Sequence, residues 1–130
     1  MDLKARNLII WAGFYLVWIL LLIWMSLTST QSPVQTDLIA YEDKISHALA
    51  YAVLAFLGER TWRNLPMARR AWLWSLFVAL FIGAALEIAQ MTFTRARTAE
   101  WGDLIADGVG AGLALALVGW RSKKRRQSLQ

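Results

Sequence analysis

The sequence contains no cysteine, a single histidine and only two prolines among its 130 residues. The absence of cysteine excludes disulfide bonds, iron–sulfur clusters and thiolate catalysis. One histidine argues against a zinc site, because zinc normally takes several cysteine or histidine ligands. The chain also lacks a nucleophile motif and a glycine-rich phosphate loop. From the residues alone we therefore expect no metal and no cofactor.

Hydrophobic residues make up 58% of the chain, and its mean hydropathy is +0.41. Soluble domains are about 45–50% apolar, so this composition indicates an integral membrane protein. Little sequence remains outside the apolar stretches, which argues against a separate soluble domain. We expect one domain that covers residues 1–130.

Four apolar stretches predict transmembrane helices, because a bilayer core of about 30 Å requires about 20 apolar residues. They cover about residues 8–27, 45–62, 71–91 and 104–120. The second is interrupted near its ends by His47, Glu59 and Arg60. The first exceeds the apolar region of a signal peptide, and no A-x-A-like cleavage site follows it. The predicted fold is an all-α integral membrane four-helix bundle.

The basic residues indicate how the bundle is oriented. Eleven of the 14 lie in the amino-terminal segment, the second loop or the basic tail at residues 121–130. The positive-inside rule then predicts that both termini are cytoplasmic. The tail is interpreted as an anchor at anionic lipid headgroups rather than as a nucleic-acid patch.

Acidic residues collect on the opposite, outer side of the predicted bundle. Seven of the nine lie there together with the histidine, and they are Asp37, Glu42, Asp43, Glu87, Glu100, Asp103 and Asp107. The basic residues on that side are Lys44, Arg95 and Arg97.

Helical spacing arranges the polar residues on common faces. Asp43, His47 and Tyr51 follow one another at intervals of four and share a face of the second helix. The pairs Glu87 with Gln90 and Asp103 with Asp107 do the same on the third and fourth helices. We therefore predict one polar pocket that opens outward.

Glu87 is a carboxylate within an apolar helix, where an ionisable group costs several kcal/mol unless it is paired or hydrated. One interpretation is a functional site. The other is an ion pair with Arg95 or Arg97 that stabilises the bundle. The two are compatible, and both remain open.

Gly108 and Gly112 form a GxxxG motif in the fourth helix. Small residues at this spacing allow helix backbones to approach closely in lipid. We expect packing within one chain, with a homodimer interface through Gly108 and Gly112 as the alternative.

The polar motifs, taken in order, resemble the VanZ-like family of small bacterial membrane proteins, which is named for low-level teicoplanin resistance. They are DKxxHxxxY (Asp43, Lys44, His47, Tyr51), ExxQ (Glu87, Gln90), an arginine that is Arg97 by its spacing to Asp103, and DxxxDxxG (Asp103, Asp107, Gly110). Asp107 stands where that family commonly has asparagine. The resemblance implies a multi-pass protein of the bacterial cytoplasmic membrane with an envelope function, and it supplies no established reaction.

Three functions are compatible with these residues. In the first, the pocket binds membrane lipid, a lipid-linked envelope precursor or a lipoglycopeptide, with Lys44 and Arg97 on an anionic group and Gln90 and Tyr51 orienting it. In the second, an enzyme uses Glu87 or His47 as general base on a lipid-linked substrate. In the third, a proton-coupled transporter uses Glu87 and Asp107. No nucleic acid is expected as a partner.

Overall fold

The protein forms four long α-helices in the computed structural model, which describes residues 2–28, 37–93 and 101–128. They are α1 (Leu3–Thr28), α2 (Asp37–Trp62), α3 (Ala71–Phe93) and α4 (Trp101–Gln127), and a single 3₁₀ turn at Ala68–Arg70 precedes α3. No strand occurs within the described ranges. The prediction of an all-α fold with four helices is confirmed.

Three of the helical segments among the described residues are long and apolar enough to cross a membrane. They are Leu3–Thr28, Ala68–Thr92 and Trp101–Arg125. Large apolar side chains such as Phe14, Phe81 and Leu113 point away from the bundle. These features are consistent with a multi-pass membrane protein. The helix α2 is not among the three, because its polar residues lower its hydropathy.

Two helices extend further than their apolar stretches. α2 begins at Asp37 rather than near residue 45, and α4 continues to Gln127 rather than ending near residue 120. Most of the predicted basic tail is thus helical. Lysine and arginine are good helix formers, and cations are stabilised at a helix carboxyl end. Hydropathy therefore finds the apolar part of each helix and not its ends.

α2 lies at the centre of the bundle and contacts the other three helices, most extensively α4. The core comprises Tyr15 and Leu22 of α1, Tyr51, Leu54 and Ala55 of α2, Ala79 of α3, and Ala111 and Leu115 of α4. Alanine is frequent in this core, which allows the backbones to approach closely. This close packing determines where the polar residues of α2 and α4 lie relative to one another.

The closest approach of α2 and α4 occurs at Gly110. A Cβ atom at this position would lie 2.6 Å from the carbonyl carbon of Ala48 and 2.7 Å from its Cα. By contrast, a Cβ at Gly108 would meet only Leu80, at an ordinary 3.4 Å, and one at Gly112 would meet nothing within 4 Å. Within the chain, Gly110 rather than the GxxxG pair allows the helices to pack. A homodimer through Gly108 and Gly112 stays a prediction.

Candidate functional site

His47 and Asp107 form the polar contact at the centre of the candidate site. The His47 Nδ1 and Asp107 Oδ1 atoms are 3.0 Å apart, and only 1% of Asp107 is exposed. His47 immediately precedes Ala48, and Asp107 lies one turn before Gly110. The close backbone approach at Ala48 and Gly110 therefore holds the imidazole against the carboxylate.

Asp107 also contacts α3, through its second oxygen. A Cβ atom at Gly83 would lie 2.8 Å from Asp107 Oδ2 and 3.4 Å from the ring of Tyr51. The rings of His47 and Tyr51 are parallel, with centroids 6.4 Å apart. Asp107 is thus enclosed by three helices. The sequence did not identify Gly83 as part of the site, although a glycine inside an apolar helix can mark a close packing contact.

A second pair lies one turn closer to the predicted outer end. Lys44 Nζ is 3.7 Å from Asp103 Oδ1, and Asp103 is buried in the first turn of α4. Gly102 lies beside this pair, since a Cβ there would be 2.9 Å from Lys44 Cε. A carboxylate in the first helical turn is also favoured by the helix dipole.

Asp43 completes a compact group of potential metal ligands. One oxygen each of Asp43 and Asp103 and one ring nitrogen of His47 lie within 4.8 Å of one another. These side chains come from the amino-terminal halves of α2 and α4, and Asp103 is buried while the other two are half-buried.

A cavity of about 360 Å³ lies between α1, α2 and α3, next to Asp107 of α4. Six of the nine predicted site residues line it, namely Asp43, His47, Tyr51, Glu87, Gln90 and Asp107. Much of the remaining wall is apolar and comes from α1, including Trp18, Leu22 and Met25. The cavity therefore combines a polar group of side chains with an apolar wall.

The contribution of α1 was not predicted. Gln90 Nε2 donates hydrogen bonds to the backbone oxygen of Ser26, at 3.1 Å, and to its hydroxyl. Trp18 Nε1 donates to the backbone oxygen of Ala50 at 3.0 Å. α1 is thereby joined to α3 and α2 at the cavity wall. Trp18 is one of three tryptophans in α1 and Ser26 lies near the end of this helix, so the sequence did not distinguish either as a contact.

The other predicted site residues lie on the cavity wall, in an ion pair or outside the described residues. Glu87 is half-buried on the cavity wall. Lys44 and Asp103 form an ion pair beside the cavity residues Asp43 and His47 and do not themselves line the cavity. Arg97 and Arg95 lie outside the described residues, and so does any ion pair of either with Glu87.

A separate buried polar group lies toward the predicted cytoplasmic end, and sequence reasoning did not find it. Glu59 is only 2% exposed, and Arg63 Nε donates a hydrogen bond to its Oε1 atom. A Cβ at Gly58 would lie 3.1 Å from the hydroxyl oxygen of Ser75 and 3.2 Å from that of Tyr15. The i, i+4 spacing of Glu59 and Arg63 was its one visible signal.

Comparisons with known proteins add no relative. No family model, curated protein or solved structure matches this chain. The resemblance to the VanZ-like family therefore rests on the ordered polar motifs.

Proposed function

We propose that this protein is a VanZ-like membrane protein with four spans and cytoplasmic termini, whose polar cavity faces outward. The cavity binds a lipid-linked or otherwise amphipathic molecule of the bacterial cell envelope. Its role is to modulate how the envelope responds to such molecules, as in low-level glycopeptide resistance. The support comes from the cavity's composition, its rim and its size.

The rim of the cavity is the observation that carries the proposal. Leu21 (37% exposed), Met25 (51%), Leu49 (64%) and Val53 (38%) line the cavity and also face the surroundings of the bundle. They belong to α1 and α2. A ligand that reaches the polar residues between these helices keeps its apolar part in contact with an apolar rim, as a lipid-linked molecule in a bilayer would.

The size of the cavity restricts what enters it. Small-molecule sites measure about 300–1,000 Å³, and this cavity of about 360 Å³ lies at the lower end. It accommodates a headgroup or a short polar fragment, and the rest of a long lipid stays outside. We infer that the ligand is recognised by its polar head.

The polar wall offers both donors and acceptors for such a head. Gln90 and Tyr51 carry neutral hydrogen-bonding groups, whereas Glu87 and Asp107 carry carboxyl groups. Lys44, which pairs with Asp103 beside the cavity residues Asp43 and His47, supplies a cation for a phosphate or carboxylate. In this proposal Arg97 assists it.

The alternative function is a membrane enzyme that acts on a lipid-linked envelope substrate. The contact between His47 and Asp107 favours it, because a carboxylate that accepts from one imidazole nitrogen orients the ring and leaves the other nitrogen to act as a base. Glu87 is the second candidate for proton transfer. The two functions differ in whether the bound molecule is chemically changed.

The binding proposal is tested with Glu87→Gln, His47→Gln and Arg97→Ala. Ile88→Ala serves as a control on the lipid-facing side of α3, where Ile88 is exposed. Each variant is measured for folded yield in detergent, for lipid that co-purifies, and for protection of cells against a lipoglycopeptide. We expect normal folding with loss of bound lipid and of protection, whereas Ile88→Ala keeps both.

Two results would contradict the proposal or select the alternative. If lipid and protection fall only in proportion to folded yield, the polar residues are structural and the binding proposal is wrong. If the purified protein converts a lipid-linked substrate, and His47→Gln abolishes turnover while lipid still binds, the alternative function as an enzyme is correct. A reporter fused after Gln130 should be active only in the cytoplasm, and periplasmic activity would contradict the topology.

A further inference from the structure

The three potential ligands in the amino-terminal halves of α2 and α4 have the composition of a metal site. Asp43 and His47 are four residues apart on one face of α2, and Asp103 faces them from α4. Their donor atoms lie within 4.8 Å of one another. The imidazole and the two carboxylates suit Zn²⁺, a borderline ion that takes nitrogen and oxygen ligands, and the carboxylates also suit the harder Mn²⁺.

The surroundings of His47 are those of a metal-binding histidine. Such a histidine almost always donates its other ring N–H to a carboxylate, which fixes the ring and raises its basicity. Asp107, which is not one of the three ligands, lies 3.0 Å from His47 Nδ1 and takes that role when Nε2 is the nitrogen that binds the metal. This contact is independent of the spacing among the three donors and points to the same use of the imidazole.

The charge balance of the proposed outer end supplies a physical reason for a cation there. Seven acidic residues and three basic residues fall on that side of the predicted topology. An anionic headgroup would be repelled by this surplus. A divalent ion held by Asp43 and Asp103 offsets two negative charges and offers a point of attachment for an anionic oxygen.

The required movement of the side chains is small. Zinc bonds of about 2.0–2.1 Å in a tetrahedron separate ligand atoms by about 3.3 Å. Donors that lie within 4.8 Å of one another must therefore approach by at most about 1.5 Å. Carboxylate rotation accommodates such a change. Three protein ligands also leave a coordination position for water or for a ligand oxygen.

The geometry points to a divalent metal site formed by Asp43, His47 and Asp103, with Asp107 positioning the imidazole. The ion is of the Zn²⁺ or Mn²⁺ class, and its open position receives a phosphate or carboxylate oxygen of the amphipathic ligand. This last step rests on the proposed function, whereas the metal site does not. The sequence predicted no metal because only the numbers of cysteine and histidine residues were considered. The two carboxylates, in contrast, are brought together by the packing of α2 against α4.

Lys44 makes a sharp test possible, because its ammonium group lies 3.7 Å from Asp103 Oδ1 and competes with a metal for that carboxylate. Lys44→Met should therefore tighten metal binding, by about tenfold. A variant that merely unfolds the protein cannot produce this result. Glu42→Gln is the matched control, since it removes a neighbouring exposed acid that is not part of the group.

The experiment uses the full chain, purified in detergent with a tag free of histidine and stripped with EDTA. Zn²⁺ and Mn²⁺ are titrated by calorimetry against a competing chelator, and bound metal is counted by mass spectrometry. We expect one ion per chain. The expected affinity falls at least 100-fold in Asp43→Asn, His47→Gln and Asp103→Asn, and 10- to 100-fold in Asp107→Asn. It is unchanged in Glu42→Gln.

The site is refuted if the wild-type protein takes up neither ion in a 1:1 ratio, or if Asp103→Asn binds as tightly as Glu42→Gln. Unaltered affinity in Lys44→Met also contradicts it. Lipid that co-purifies equally with metal-loaded wild-type protein, with stripped wild-type protein and with Asp103→Asn refutes the metal's part in ligand binding and leaves the proposed function standing. Stoichiometric metal without any bound lipid supports the metal site and contradicts the proposed function.

Discussion

Gly110→Ala tests whether the contact between α2 and α4 sets the geometry of the site. A Cβ at Gly110 would lie 2.6 Å from the carbonyl carbon of Ala48. Carbon atoms in contact prefer about 3.5–4.0 Å. The backbone of Ala48 cannot move aside alone, so the two helices must separate by about 1 Å at this level.

That separation has two energetic consequences. Overpacking of this kind costs about 1–3 kcal/mol. The His47–Asp107 distance of 3.0 Å also increases to about 4 Å, which is beyond hydrogen-bonding range. Hydrogen bonds between membrane helices contribute about 0.6 kcal/mol on average, with larger values near 2 kcal/mol. We therefore expect the free energy of unfolding of Gly110→Ala to lie about 2–4 kcal/mol below that of Gly112→Ala, which has the same gain in helix propensity without the overpacking.

The assay is unfolding of the purified protein by SDS, followed by circular dichroism. Gly112→Ala is the control, because its Cβ meets nothing within 4 Å. Alanine is favoured over glycine within a helix by about 0.5–1 kcal/mol, so the control should equal or exceed the wild type in stability. If Gly110→Ala is as stable as Gly112→Ala, the close contact does not limit the packing and the reasoning is wrong.

Two further predictions concern contacts outside the centre of the site. Gln90→Leu removes the hydrogen bonds from α3 to Ser26, and we expect a loss of about 0.6–2 kcal/mol in SDS unfolding together with faster hydrogen exchange in the last turns of α1. Unchanged exchange in α1 would contradict this. Arg63→Ala leaves the carboxylate of Glu59 buried without its guanidinium partner, so it should cost about 1–3 kcal/mol more than the double variant Glu59→Leu, Arg63→Ala. Equal stability of the two would show that the pair is not coupled.

The helices could be predicted from the sequence because their signal is local. Twenty apolar residues predict a span whatever surrounds them, and α1, α3 and α4 meet that test in the structure. α2 was found with the same reasoning, although His47 and Glu59 interrupt it. Its two polar groups are accommodated by Asp107 and Arg63. Asp107 lies on α4 and Arg63 directly follows the end of α2, so the composition of α2 alone does not explain why it is helical and packed.

The site was predicted in part, for a related reason. Intervals of four residues place Asp43, His47 and Tyr51 on one face without knowledge of the other helices. Contacts between helices depend on which backbones approach, and that is decided by Gly83 and Gly110. Gly83 has no periodic signal of its own, and Gly110 was identified only as the last residue of the DxxxDxxG motif. Periodicity therefore gave the candidate residues, whereas small residues at the crossings determine which of them touch.

The polar character of α2 also has a consequence for the synthesis of the protein. His47 contacts a residue that follows it by 60 positions, whereas the Trp18 bond to Ala50 becomes possible as soon as α2 is made. Chains grow at about 5–20 residues per second, so Asp107 appears some 3–12 s after His47. In the four-span topology, α2 must spend that interval beside α1 or the insertion machinery rather than exposed to lipid. In that topology α4, which is made after the other three helices, would complete the insertion of α2, and a chain interrupted after α3 should be retained by the insertion machinery and degraded.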